Sequence, residues 1–94
     1  MTNSRLLKKI NSDKVKYKDI CSDSRTIKKG DIFFAIPGSN VDGLKYVNDA
    51  VAKGASAIVI PIRKKIKISS NIPIYKVKDI RKEISLAAFV VNSE

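Results

Sequence analysis

The 94-residue chain has no histidine and no tryptophan, and Cys21 is its only cysteine. A single cysteine excludes an internal disulfide. The missing imidazole excludes Ser-His-Asp and Cys-His nucleophile systems, and with one thiol it also excludes the usual zinc sites. Acidic residues are scarce: nine Asp and Glu stand against nineteen Lys and Arg, a net charge of +10. The four glycines, at positions 30, 38, 43 and 54, open no G-x-x-x-x-G-K-[ST] loop, so a nucleoside triphosphate site of that type is absent. The apolar run at residues 57–62 is far too short to span a bilayer. The first ten residues carry no apolar core of a secretion signal. The expectation is a reducing, cytoplasmic setting, with no membrane partner, no metal and no catalytic residue.

What is present describes one soluble domain. Hydrophobic residues make up 44% and charged residues 30%, which suits a globular core and not a disordered tail. The charge invites a nucleic-acid reading. Its makeup weakens it: fifteen of the nineteen cations are Lys, and isoleucine occurs fourteen times, a Lys- and Ile-rich bias. Single-strand binders interleave aromatic platforms with cations. Here Tyr17, Phe33, Phe34, Tyr46, Tyr75 and Phe89 fall mostly at positions that read as core. The run Arg63, Lys64, Lys65, Lys67 reads as a solvated face.

Along the chain, residues 3–10 predict a short helix with Leu6, Leu7 and Ile10 on one face, capped by Asn3 or Ser4. Residues 14–21 alternate as a half-exposed strand. Residues 28–31 form a turn in which Gly30 supplies positive φ. Residues 32–36 are a buried strand stopped by Pro37-Gly38. Residues 44–53 predict a helix with Leu44, Val47, Ala50 and Val51 inward, and Gly54 takes the left-handed position after it. Residues 57–60 are a strand apolar on both faces, as in a parallel sheet. Residues 73–77 make the last strand, and Asp79 caps a final helix with Ile80, Ile84, Ala87, Ala88 and Val91 inward. The sum is an α/β fold, a small and mostly parallel sheet flanked by helices.

Two polar loops, residues 22–25 and 39–43, follow strand ends, where open α/β sheets bind ligands. Ser24 and Asn40 offer neutral, directional hydrogen-bonding groups that suit a base edge or a sugar hydroxyl. Asp23 can accept from loop N–H groups and hold the loop's shape. Arg25 can clamp a phosphate or bond a carboxylate of its own fold. Both loops are equally ordinary turn chemistry. Cys21, at a strand end with no His to activate it, reads as a small buried hydrophobe.

Read together, Asp23-Ser24-Arg25, then Lys29-Gly30-Asp31-Ile32-Phe33-Phe34-Ala35, Pro37-Gly38, Asp42-Gly43, Tyr46, Ala50 and Gly54-Ala55 follow one ordered spacing. This pattern, D-S-R, G-D-x-F-x-A, G-x-x-x-D-G, A-x-x-x-G-A, resembles the N-terminal domain of the Mur ligases. It covers residues 23–55 without a gap, and the flanks match in kind and order. It is most similar to the branch that adds the third peptide residue to the peptidoglycan precursor. The branch that adds the terminal dipeptide more often has G-E-x-x-D-G-H in the second loop, and Gly38 to Leu44 here contain neither the Glu nor the His.

The resemblance implies three domains, of which residues 1–94 are the first, the one that holds the UDP end of UDP-MurNAc-L-Ala-D-Glu. The central ATPase and C-terminal domains would be its partners within the enzyme. They would supply ATP, Mg2+ and the site for meso-diaminopimelate or L-lysine, so the fragment alone is expected to be inactive. The reaction implied activates the substrate carboxylate as an acyl phosphate, which the incoming amine attacks. Carried over by position, Ser24 would bond the uridine, Ser22 would border its pocket, and Ser39, Asn40 and Val41 would line it. Asp23, Arg25, Gly30, Asp31, Asp42 and Gly43 would scaffold the loops. The alternatives are the dipeptide-adding branch, or a small basic nucleic-acid-binding domain.

Overall fold

The computed structural model describes residues 4–38, 42–68 and 71–92. Strands β1 (Ile20–Cys21), β2 (Ile32–Phe34), β3 (Ala57–Pro61) and β4 (Ile74–Val77) form one sheet in chain order, with every neighbour parallel. Helices α1 (Arg5–Ser12), α2 (Val47–Ala52) and α3 (Ile80–Asn92) cover it, and a 3-10 turn, Gly43–Tyr46, leads into α2.

Alternation along the strands explains the layering, since successive side chains leave opposite faces. Ile32, Phe34, Ala57, Val59 and Tyr75 pack with Leu6, Leu7 and Ile10 of α1 and with Ile80 and Ala87 of α3. Phe33, Ala35, Ile58 and Ile60 pack the other way, with Val47 and Ala50 of α2 and with Ile27 and Ala55. The result is the expected α/β fold, parallel throughout, because both faces of its central strands are apolar and both are covered.

Local signals account for most boundaries. The Ser4 hydroxyl accepts the Leu7 N–H at 3.1 Å and caps α1. The Asp79 carboxylate accepts the Lys82 N–H at 3.1 Å at the head of α3. Gly54 leaves α2 with φ +98°, as its place after the helix predicts. The basic run is exposed at Arg63, Lys64, Lys65 and Lys67, while Ile66 within it and Ile68 just after it pack on the α2 side of the core.

Several elements differ from their sequence expectation. The strand expected over 14–21 shrinks to Ile20–Cys21. Lys14 turns left-handed at φ 60°, and its N–H and that of Val15 bond back to the carbonyls of Asn11 and Ile10. Those residues are spent leaving α1, and the chain meets β2 only where the Ile32 N–H bonds the Asp19 carbonyl. The helix expected over 44–53 starts as the 3-10 turn and becomes α-helical only at Val47. Cys21 is half-buried, not buried, and its thiol donates to the Asp23 carbonyl at 3.1 Å. Among the aromatics, Tyr46 and Phe89 are exposed.

A bond between distant segments predicts a pH response. The Tyr75 hydroxyl donates to the Asp13 carboxylate at 2.8 Å, joining β4 to the end of α1. Burial, reinforced by Asp13, pushes the Tyr75 phenol up to about 12 from an ordinary 10.0. The Tyr75 bond and then Lys9 hold Asp13 below its ordinary value. A phenol raised in the folded state favours folding below its unfolded pKa, and that contribution is lost as pH rises through the folded value. Stability is therefore expected to fall between pH 10 and 12, and Tyr75→Phe should remove the part of the fall due to this group. Denaturant melts of both proteins across that range, with tyrosinate absorbance followed in parallel, check it; parallel curves would refute the assignment.

Candidate functional site

Beyond the carboxyl ends of β1 and β2 lies a cavity of about 370 Å3 lined by Ser22, Asp23, Ser24, Arg25, Phe33, Gly43 and Tyr46. One wall is the loop after β1, the opposite wall is the 3-10 turn, and buried Phe33 forms the floor.

The loop wall is tied within itself. Asp23 Oδ1 accepts the Arg25 N–H at 2.9 Å, an Asx-type closure. The Arg25 guanidinium closes on the same carboxylate, Nε to Oδ1 at 3.1 Å and Nη2 to Oδ2 at 2.9 Å. Of the two roles open to Arg25, bonding its own fold's carboxylate is the one observed. These bonds from Arg25, side chain first and backbone second, hold Asp23 below its ordinary value. With the Arg25 side chain 83% exposed, the pair shapes the loop and adds little to global stability. The Asp23 carbonyl also accepts the Thr26 N–H at 3.1 Å. Ser24 is only 5% exposed although polar and in a loop, and its carbonyl accepts the Lys53 ammonium at 2.6 Å.

The turn wall needs a glycine. The Gly43 N–H donates to the Ile36 carbonyl at 2.9 Å. A Cβ on Gly43 would stand 2.7 Å from the Ile36 nitrogen and 2.9 Å from its oxygen. Asp42 caps the turn by accepting the Leu44 N–H at 3.1 Å. Tyr46, 44% exposed, also lines the cavity.

The structure thus gathers Ser22, Asp23, Ser24, Arg25 and Gly43 in one cavity, with Asp42 beside it. Gly30 and Asp31 stand elsewhere, at the amino-terminal end of the sheet. There Gly30 bonds the Gly54 carbonyl at 2.9 Å and Asp31 accepts the Lys28 N–H at 3.0 Å. Ser39, Asn40 and Val41 lie outside the described residues. Two lining residues were missing from the sequence reading of the site. Phe33 reads as core, which it also is, and Tyr46 reads as one of the aromatics that fall mostly at core positions; its place three residues after the D-G pair was the available signal.

Two serines, a buried phenylalanine and a half-exposed tyrosine around one cavity suit a planar, neutral ring with polar edges. Among the described residues there is no group of three or more His, Cys, Asp or Glu that could hold a metal ion. Among them, too, no helix is long and apolar enough to cross a membrane.

Residues 16–90 match the family described as "Mur ligase family, catalytic domain". The chain belongs to the Mur ligase family. Similar curated Mur ligases are UDP-N-acetylmuramoyl-L-alanyl-D-glutamate–2,6-diaminopimelate ligases. That of Fusobacterium nucleatum is 39% identical over 84 residues, 89% of this chain and 17% of that protein. Those of Clostridium tetani and Rhizobium meliloti are 45% and 38% identical, over 70% and 73% of this chain and 14% of each relative. Among solved structures, a MurF from Acinetobacter baumannii superimposes with a TM-score of 0.60 at 29% identity, covering 73% of this chain and 14% of that one. The chain therefore spans about a sixth of the length of the curated Mur ligases it matches. The family description says "catalytic", yet the motif that would hold a nucleotide's phosphates in a loop is missing from these 94 residues.

Proposed function

We propose that residues 1–94 are the N-terminal, UDP-substrate-binding domain of a MurE-type ligase. The ligase would add the third peptide residue to UDP-MurNAc-L-Ala-D-Glu in peptidoglycan biosynthesis, in an ATP-dependent reaction. The names of the relatives point to 2,6-diaminopimelate as the residue added. The observation that carries the reading is the meeting of the D-S-R loop and the D-G turn around one cavity at the carboxyl ends of β1 and β2.

In this reading the uracil enters between Tyr46 and the loop, over Phe33. Ser24 bonds the uridine and Ser22 borders it, with Ser39, Asn40 and Val41 completing the pocket. The domain's part in the reaction is positional: it holds one end of a long substrate so that the peptide carboxylate reaches the chemistry elsewhere. ATP and Mg2+ find no fit among the described residues, which lack both a phosphate loop and a carboxylate cluster; they are assigned to the remainder of the ligase. The likeness to the Acinetobacter MurF makes the dipeptide-adding branch the second reading.

Ser24→Ala in the full-length ligase is expected to weaken binding of UDP-MurNAc-L-Ala-D-Glu about tenfold, the scale of one lost hydrogen bond in a closed site, with the melting temperature unchanged. Isothermal titration calorimetry measures it. Equal affinity in the variant would count against this site.

A further inference from the structure

We propose that Lys53 is a positioning residue that sets the separation of the two cavity walls. This rests on reading the cavity as the uridine diphosphate end of the substrate site.

The bonds inside the loop of residues 22–26 all join near neighbours. Arg25 to Asp23 and Thr26 to Asp23 span two or three residues, so they determine the loop's shape but not its placement against the turn. The Lys53–Ser24 bond spans 29 residues at 2.6 Å, and it ends on the carbonyl of a residue that lines the cavity. Lys53 is the residue on which α2 ends, and α2 follows directly from the 3-10 turn that carries Gly43 and Tyr46. One ammonium thus links the loop wall to the element that carries the opposite wall. It is itself held from below, with Asp49 one helical turn back at 3.5 Å, so its reach is directed at the loop. Lys53 is not among the lining residues, so it acts through Ser24 and does not touch the ligand.

A lysine near a diphosphate site can instead act by long-range attraction, and salt separates the two. Attraction between exposed charges is screened as ionic strength rises, whereas a misplaced wall weakens binding by the same factor at any salt.

The test is calorimetric binding of UDP-MurNAc-L-Ala-D-Glu to the full-length ligase and to Lys53→Met and Lys53→Arg, at low and high salt, with melting curves for each. The expected result is about tenfold weaker binding for Lys53→Met. That ratio should be the same at both salts, at an unchanged melting temperature, and Lys53→Arg should return within about twofold because its guanidinium still reaches the carbonyl. KM for ATP should not move. Unchanged affinity in Lys53→Met overturns the proposal, and so does a ratio that vanishes at high salt. If Lys53→Met is unstable, the arginine variant decides: full loss of affinity in that stable variant overturns it too. Failure of the unsubstituted ligase to bind the nucleotide substrate overturns the site reading, and the role of Lys53 with it.

Discussion

Gly43→Ala is expected to destabilise the domain by about 1–3 kcal/mol, the range for forcing extra volume into filled space, and to abolish substrate binding at the cavity. The added Cβ would meet Ile36 backbone atoms at 2.7 and 2.9 Å. Backbone cannot swing aside as the end of a flexible side chain can. Relief requires the turn to lift away, which breaks the 2.9 Å bond from the Gly43 N–H to the Ile36 carbonyl and moves Tyr46 with it. Denaturant melts should show the loss of stability and calorimetry the loss of binding. A variant that melts and binds as the parent does would mean that the turn does not lie this close to the strand end.

Phe33→Ala carries the largest expected cost to the fold, about 3–5 kcal/mol for truncating a fully buried aromatic. A chain of this length has roughly 5–14 kcal/mol of stability in all, so the variant should be largely unfolded under mild heating. Phe33 is both the floor of the cavity and, at 0% exposure, part of the core on the α2 face. Phe33→Leu separates the two roles. It keeps most of the packed volume and should fold, while widening the floor under the proposed base and weakening substrate binding. A Phe33→Ala protein with the parental midpoint would place this ring outside the core.

The legible parts of the fold were those where the local pattern and the tertiary environment agree. Ala57 to Ile60 are apolar on both faces, and both faces are covered. Gly54 stands where a helix needs a left-handed exit, and it takes one. The first strand was overextended because Val15 and Tyr17 alternate with lysines as a strand would. Their alternation instead seats them against the α1–α3 side of the core, while the backbone there is still leaving α1. No local pattern distinguishes those cases; the left-handed Lys14 decides, and lysine does not advertise that conformation.

The site was half legible for a similar reason. Residues 22–25 announce a loop by composition, and Asp23 and Arg25 close it with bonds between neighbours that can be anticipated. Lys53 is one lysine among fifteen. What sets it apart is a contact made across 29 residues, which only the folded chain brings about. Tyr46 was legible as a position in a family pattern but not as an exposed ring, because the segment was expected to be regular helix and its first turn is 3-10.

The strand order also bears on how the domain is made. Spatial order equals chain order and no pair is a hairpin, so each new strand docks on the outer edge of the sheet already formed. A chain emerging from the ribosome can therefore assemble the sheet by accretion, without threading a late strand between two early ones. Non-local parallel pairing slows each step. One fastening spans nearly the whole sheet: the bond from Tyr75 to Asp13 closes over 62 residues, so the end of α1 waits for β4 before that bond can form.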